Sequence, residues 1–317
     1  MYGWRRWRGY IQEILRAPRR AIEPPDMRVL RRRVRHLEEE IGRLLVRGNE
    51  GIEAPSAQSD RMRRREARCY SQNGEDGLLL EILSSVGAQS RSLVEIGCGS
   101  GEESIGATLV VHFGWRGLLA DRDGENALKA RRFFHDEQGV PLDRLSVESE
   151  AVQPDTVDRW LAGCGFRGIV DLLAIDIDGN DYWLWNAITA IDPRIVVIEY
   201  NASLGPVKKL SVPYDPDHDP YRRHPRGWHH GASLAALEEL GRSRGYALVA
   251  CDSMGVNAFF LRRDLLNDDI SEISCQDAFY SQPKRLKRAS QKHQEEILSQ
   301  LPFQGVEVPS SQLEGTH

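Results

Sequence analysis

Apolar residues along this chain occur either in short continuous runs or in stripes that repeat every three to four residues. The runs predict strands buried on both faces, near residues 92–96, 117–121, 145–148, 171–176, 194–200, 246–251 and 256–261. The stripes predict helices near residues 103–112, 125–134, 155–162, 181–190, 232–244 and 285–299. This alternation of strands and helices is typical of a doubly wound α/β fold.

The last two predicted strands are separated only by residues 252–255, which predicts an antiparallel hairpin. The expected architecture is therefore a seven-stranded, Rossmann-like sheet that ends in this hairpin. The globular domain spans residues 70–265, and residues 266–317 form a C-terminal helical extension and tail.

Residues 1–47 carry a separate pattern and are expected to form a basic helical arm. Apolar residues follow each other in steps of three and four, as in the a and d positions of a coiled coil, at Met27, Leu30, Val34, Leu37, Ile41 and Leu44. Pairing between chains through residues 27–47, which would make a homo-oligomer, is the preferred interpretation. Packing of the stripe on its own domain is the alternative. Residues 48–69 follow as a flexible linker.

A shorter stripe opens the arm, because Trp4, Trp7 and Ile11 share one helical face and Pro18 closes the segment. A basic amphipathic helix with tryptophans can lie on an anionic membrane. Since the segment is short, that membrane contact would be weak. Packing on the globular domain or on a partner subunit is the favoured interpretation.

Charge is distributed unevenly along the 317 residues. Residues 1–68 carry 18 Lys and Arg against 10 Asp and Glu, whereas the remainder carries 24 against 37. An acidic globular domain opposes nucleic acid, so no nucleic-acid partner is expected. The sequence has neither a long apolar run nor a signal-peptide pattern, which indicates a cytoplasmic protein. Its five cysteines include no C-x-x-C pair, which argues against a disulfide framework and a zinc site.

Candidate chemistry starts where the first predicted strand ends in an acid and a Gly-x-Gly-x-Gly turn, at Glu95, Gly97, Gly99 and Gly101. Glycines permit a tight turn whose backbone can approach a ligand closely. The spacing is not the G-x-G-x-x-G of a dinucleotide site, and an acid such as Glu102 at the following helix start would repel phosphate. A turn without a ligand role is the alternative.

Polar side chains also follow the later strands, at the edge of the sheet where ligands of open α/β folds bind. These residues are Asp121 after the second strand, Asp176, Asp178 and Asp181 after the fourth, and Glu199 and Asn201 after the fifth. A carboxylate such as Asp121 is well matched to a cis-diol, and helix capping is its alternative role. Crowded carboxylates are costly unless a cation or a proton compensates, and oxygen ligands suit Mg²⁺ or Ca²⁺. A metal site and a site without metal both stay open.

Four segments together resemble bacterial FkbM-type methyltransferases, which belong to the class I S-adenosylmethionine-dependent enzymes: residues 70–77, 92–102, 174–182 and 197–201. The chain is also similar, more distantly, to metal-dependent sugar O-methyltransferases of the macrocin and novobiocin type. The resemblance implies S-adenosylmethionine as cofactor, held by Glu95, Gly97, Gly99, Gly101, Asp121 and Asp176. It also implies a Mg²⁺ site formed by Asp178, Glu199 and Asn201.

Catalytic roles are expected for Asp178, Asp181 and His230. The sugar enzymes have an acid proposed as the base where this chain has Asn180, and this departure leaves Asp181 or a loop histidine for that role. His230 ends a long, proline-punctuated loop, residues 205–230, which is expected to act as a lid that shapes the acceptor pocket.

The sequence therefore predicts a methyltransferase that acts on a hydroxyl of a sugar, a glycan or another small molecule. The alternatives are a catalytically silent scaffold of the same fold and a dinucleotide-dependent oxidoreductase. The glycine spacing argues against the oxidoreductase, and the acids at successive strand ends argue against the scaffold, although fold alone never establishes activity.

Overall fold

A computed structural model describes residues 53–306 of the chain. The strands are β1 (Ser92–Ile96), β2 (Arg116–Asp121), β3 (Leu145–Ser149), β4 (Gly168–Ile175), β5 (Ile191–Glu199), β6 (Leu210–Ser211), β7 (Tyr246–Cys251), β8 (Asn257–Arg262) and β9 (Gln304–Gly305). Seven of them form one sheet in the order β3-β2-β1-β4-β5-β8-β7, and β6 pairs with β9 in a separate ribbon. All neighbours from β3 to β5 are parallel, whereas β8 is antiparallel to β5 and β7. This arrangement confirms the predicted seven-stranded sheet with its terminal hairpin.

Helices cover both faces of the large sheet. They are α1 (Ala57–Arg63), α2 (Glu75–Val86), α3 (Ala107–Phe113), α4 (Gly124–Arg131), α5 (Val157–Gly163), α6 (Asp181–Ala187), α7 (Pro220–Arg223), α8 (Leu234–Ser243), α9 (Cys275–Ala278), α10 (Pro283–Leu286) and α11 (Gln291–Leu298). Successive residues of β1 belong to different apolar cores, with Leu93 in one cluster and Val94 in the other, and both are fully buried. Burial on both faces explains why the strands are continuous apolar runs.

The chain leaves β1 for one half of the sheet, through β2 and β3, and then crosses to β4 on the other side of β1. The crevice beyond the carboxyl ends of β1 and β4 is thus a topological switch point, where open α/β sheets bind ligands. Residues after β1, β2, β4 and β5 converge on this edge.

Two predictions differ substantially from the structure, and several element ends differ by a few residues. The helix predicted at 103–112 begins at Ala107, so Glu102 lies in the turn before it and not at a helix start. The range 48–69, predicted as a linker, contains α1, which Ser56 caps and which buries Met62 against the domain. The predicted helix at 285–299 is divided into α10 and α11, because the Ser290 side chain accepts from the His293 amide and starts a new helix. In the predicted linker, packing against the domain therefore makes residues 57–63 helical, although the turn-forming composition of residues 48–69 predicts irregular structure.

The predicted coiled coil at 27–47 and the amphipathic segment at 4–15 lie outside the described residues, so both stay predictions. Within residues 53–306 every helix is too short or too polar to cross a membrane.

Candidate functional site

The turn after β1 brings the backbone close to neighbouring strand ends. Gly97 has φ +95°, and a Cβ there would lie 1.7 Å from the main-chain oxygen of Asp176, so only glycine fits. At Gly101 a Cβ would lie 2.9 Å from the Phe134 ring. Gly99 also has a positive φ of +55°, but a Cβ there would meet no atom within 4 Å. Close packing thus requires glycine at positions 97 and 101, whereas Gly99 has open space beside it.

Glu95 is buried, and its carboxylate is occupied by its own turn. It accepts hydrogen bonds from the Ser104 hydroxyl (2.6 Å) and from the amides of Ile105 and Gly106 (both 2.9 Å). Burial raises the pKa of Glu95, and these hydrogen bonds oppose the shift. The structure corrects the expectation that Glu95 contacts the cofactor, since its carboxylate braces the turn instead.

Asp121, at the end of β2, is fixed by two main-chain amides. Its Oδ2 accepts from Gly99 and its Oδ1 accepts from Asp123, both at 2.8 Å. The Asn126 side chain also donates to Oδ1, at 3.5 Å. A carboxylate has about four lone-pair sites, so acceptor capacity remains on Oδ2. The side chain also lines a cavity, which leaves room for the expected contact with a cis-diol.

Two cavities open at this edge of the sheet. The glycine-turn cavity, of about 310 Å³, is lined by residues that include Gly97, Asp121, Asn126, Glu150, Pro216 and His218. The acid cavity, of about 250 Å³, is lined by residues that include Gln72, Asn73, Glu199, Met254, Gln282 and Lys284. Asp176 and Asp178 line both cavities. These two carboxylates therefore stand where the cavities meet.

Three carboxylates crowd the acid cavity. Burial, reinforced by Glu199 and Asp178, raises the pKa of Asp176 well above its usual range. Burial and the same kind of repulsion, from Asp178 and Asp181, raise the pKa of Glu199 well above its usual range. Asp178 is exposed, and its carboxylate makes no hydrogen bond or ion pair with residues 53–306. Of the three, Asp178 is thus the acid most available to a ligand.

Asp181 holds the turn that carries Asp178. Its Oδ1 accepts from the Ile177 amide and its Oδ2 from the Gly179 amide, both at 2.9 Å. Asp178 between them adopts φ +55°, a left-handed conformation that is uncommon for a residue other than glycine. Asp181 is fully buried, and burial raises its pKa to about 6. Asp181 lines neither of the two cavities, and its hydrogen bonds position Asp178, so the structure does not present it as the base.

His230 is buried between an arginine and an acid. Arg285 Nη2 lies 2.7 Å from Nε2 of His230, and Oε2 of Glu199 lies 3.2 Å from its Nδ1. Burial, with the charge of Arg285, lowers the pKa of His230 to about 4, so the ring is neutral at pH 7. Arg285 can only donate, which assigns the single ring proton to Nδ1, facing Glu199. Neither ring nitrogen is free to take a proton from a ligand, so the structure does not present His230 as the base.

Asn201 is committed to the loops around it. Its amide nitrogen donates to the main-chain oxygens of Trp228 and His230, both at 2.9 Å. Its oxygen accepts from the Ser203 amide (3.1 Å) and from Arg285 (2.9 Å), which uses both lone pairs. The expected metal ligand Asn201 is therefore corrected to a scaffold residue.

The potential cation ligands that do come together are Asp178, Glu199 and His230, whose ligand atoms lie within 4.8 Å of one another. Mg²⁺ prefers oxygen ligands in octahedral geometry. The imidazole of His230 departs from that preference, and its lone pair already accepts from Arg285. The residues present therefore do not fit a Mg²⁺ ion as arranged.

The loop at 205–230 lines the glycine-turn cavity and does not line the acid cavity. Pro216 and His218 line the glycine-turn cavity, and neither lines the acid cavity. The loop is fastened to the domain, because the Asn180 side chain donates to Asp215 (2.7 Å) and Arg122 donates to His218 (3.2 Å) at their main-chain oxygens. Asn180, which stands where the sugar O-methyltransferases have an acid, thus anchors this loop.

Several residues of the acid cavity were not singled out from the sequence. Gln282 and Lys284 come from the C-terminal extension, and Met254 comes from the β7–β8 turn. Arg285, in the same extension, contacts His230 beside the cavity. Gln72 and Asn73 lie in the 70–77 segment. Asp76 shapes that segment by accepting from the amides of residues 69–71, at 2.8 to 2.9 Å. The 70–77 motif indicated that this segment contributes to the site. No motif in the C-terminal extension indicated the same for Gln282 or Lys284.

No protein-family model and no curated protein sequence matches this chain. Among solved structures it is similar to an O-methyltransferase from Bacillus cereus in complex with SAH, with 15% identity and a TM-score of 0.36 over 76% of this chain and 92% of that one. A SAM-dependent methyltransferase from Thiobacillus denitrificans in complex with S-adenosyl-L-homocysteine has 16% identity and a TM-score of 0.32, over 55% and 64% of the two chains. Mitomycin 7-O-methyltransferase has 18% identity and a TM-score of 0.34, over 58% of this chain and 53% of that one. These values describe a distant likeness and assign no activity to this chain.

Proposed function

We propose that this protein is an S-adenosylmethionine-dependent methyltransferase that methylates a hydroxyl group of a sugar, glycan or other small polar molecule. The observation that carries the proposal is the pair of cavities that meet at Asp176 and Asp178. A methyl group moves between two bound molecules in one in-line step, so its enzyme needs two adjoining compartments.

The glycine-turn cavity suits a nucleoside with a cationic tail. Asp121 offers carboxylate oxygens to a ribose diol, and the space above Gly99 is open. Acids at Glu150, Asp176 and Asp178 surround this space and favour a sulfonium cation. The same acids oppose the pyrophosphate of a dinucleotide, which argues against an oxidoreductase.

The acid cavity suits a neutral acceptor with several hydroxyls. Its walls combine carboxylates with the side-chain amides of Gln72, Asn73 and Gln282 and with the ammonium group of Lys284. Such walls can donate and accept hydrogen bonds around a polyol. A sugar or another small polar alcohol fits this mixture better than an apolar acceptor.

In the proposed reaction the acceptor oxygen attacks the methyl carbon, the bond from carbon to sulfur breaks, and S-adenosylhomocysteine leaves. The acceptor proton passes to the Asp178 carboxylate, which is exposed and unpaired among the described residues. Asp181 positions Asp178 through the two flanking amides, and Glu95 braces the cofactor turn.

The test uses the full chain with methyl-labelled S-adenosylmethionine and a panel of sugars, sugar nucleotides and short glycans. We expect label in one acceptor class, with one S-adenosylhomocysteine formed per methyl group transferred. Binding of S-adenosylhomocysteine without transfer to any hydroxyl acceptor would refute the O-methylation proposal. It would favour the catalytically silent alternative.

A further inference from the structure

The guanidinium group of Arg285 is built into the acid cluster by three hydrogen bonds. Nη1 donates to the Asn201 side-chain oxygen and to the Ser203 hydroxyl, both at 2.9 Å, and Nη2 donates to His230 at 2.7 Å. All three acceptors are neutral, so the positive charge of Arg285 is not cancelled by a direct ion pair within the described chain. It is left to act on the nearby carboxylates of Glu199 and Asp178.

The segment that delivers Arg285 is fastened to the end of β5. The Ser203 hydroxyl donates to Gln294 (2.6 Å), and the Gln291 side chain donates to the Ala202 main-chain oxygen (2.8 Å). The Tyr200 hydroxyl donates to the main-chain oxygen of Tyr280 at 2.9 Å. Contacts on both sides of α10 thus fix the arginine before any ligand binds, which makes it a preorganised part of the acid cluster.

A divalent ion placed among Asp178, Glu199 and His230 would compete with Arg285 twice. It would need the Nε2 lone pair or the Nδ1 position of His230, both of which already have partners. It would also lie near the fixed positive charge of Arg285, and two cations repel each other strongly in a partly buried site.

We propose that Arg285 is the resident cation of this acidic cluster and supplies the positive charge that a divalent metal ion would otherwise supply. In this arrangement Arg285 is a positioning residue: it holds His230 in one tautomer and offsets the charge of Glu199 and Asp178. The part of the inference that concerns acceptor orientation rests on the proposed methyltransferase function. The part that concerns cation occupancy does not.

The test measures Mn²⁺ binding by electron paramagnetic resonance in the full chain and its variants. We expect no saturable Mn²⁺ site in the wild-type protein or in Arg288→Gln, a matched control for an exposed arginine of the same segment. Arg285→Gln keeps a donor and an acceptor but loses the charge. It should gain one Mn²⁺ per chain, with affinity at least about tenfold above the wild type.

Two further variants make the outcome decisive. Arg285→Lys keeps the charge and should not gain the site, and Asp178→Asn added to Arg285→Gln should remove it. One Mn²⁺ per wild-type chain that is lost in Asp178→Asn would overturn the inference even if Arg285→Gln failed to fold. A folded Arg285→Gln protein without a Mn²⁺ site would also overturn it.

Binding of S-adenosylhomocysteine is measured on the same samples. A wild-type Mn²⁺ site with intact S-adenosylhomocysteine binding would defeat the Arg285 inference and leave the proposed function standing. Absence of both kinds of binding in the wild-type protein, with a Mn²⁺ site gained in Arg285→Gln, would defeat the proposed function alone.

Discussion

The main-chain amide of Gly99 donates a 2.8 Å hydrogen bond to the carboxylate of Asp121. This bond joins the turn after β1 to the end of β2, and it is made before any ligand arrives. The bond therefore fixes Asp121, which lines the glycine-turn cavity, relative to Gly99, where an added Cβ would meet no atom within 4 Å.

Gly99→Val should abolish cofactor binding while the domain stays folded. The new side chain would enter open space that the ligand needs, and its strain at φ +55° should cost about 1–2 kcal/mol. Gly139→Val is a matched control, because Gly139 has φ +69° and a Cβ there would also meet no atom within 4 Å, but this glycine lies on the surface. Calorimetry with S-adenosylhomocysteine and thermal unfolding check both variants. Equal affinities in the two variants would contradict the assignment of this turn.

Asp178→Asn should slow methyl transfer by about 100-fold or more, because a general base is removed. Its affinity for S-adenosylhomocysteine should change little, because this product has a neutral thioether in place of the sulfonium that the Asp178 charge attracts. Asp217→Asn removes the same charge from an exposed site and should keep wild-type kcat. A loss confined to cofactor affinity, with kcat unchanged, would show that Asp178 is not the base.

Asp181 should make the stability of the domain depend on pH. Its pKa in the folded protein is about 6 because of burial, against an ordinary value of 3.8. The folded state therefore holds this proton more tightly, and the resulting stability is full below pH 3.8 and lost as the pH rises through 6. The difference is about 2 kcal/mol between about pH 4 and pH 7.

Asp181→Asn removes this titration. We expect the variant to be more strongly destabilised, relative to wild type, at about pH 4 than at pH 7, as measured by urea unfolding at each pH. The lost carboxylate hydrogen bond adds a penalty that does not vary with pH. A difference between the two proteins that is constant across this range would contradict the buried position of Asp181.

The seam at residues 27–47 should mediate self-association, as its a and d pattern predicts. Comparison of the full chain with a chain starting at residue 53 tests this, because the shorter chain keeps α1 and its packing on the domain. Light scattering should give a higher multiple of the chain mass for the full protein. The same multiple for both would rule out pairing through this seam.

The sheet was predictable because each strand is an apolar run that both faces bury, as Leu93 and Val94 illustrate. The convergence of Asp176, Asp178 and Glu199 was predictable for a related reason, since parallel strands place their carboxyl ends at one edge. These features depend on the spacing of apolar residues along the chain and on the sheet topology, and both can be inferred from sequence.

Side-chain direction was not predictable in the same way. Asn201 and His230 were both expected at the site, but their roles depend on hydrogen bonds to Arg285, which lies far from either along the chain. Asp181 stands at a helix start, and only the folded turn shows that it accepts from both neighbours of Asp178. The acid cavity is completed by the C-terminal extension, whose contribution is set by long-range packing.

The central claim is that the glycine-turn cavity binds the nucleoside of S-adenosylmethionine, and isothermal titration calorimetry with S-adenosylhomocysteine tests it most directly. We predict one site per chain in the wild type and in Gly139→Val, no binding in Gly99→Val, and no competition by NADH. A folded wild-type protein that binds NADH but not S-adenosylhomocysteine would contradict the account.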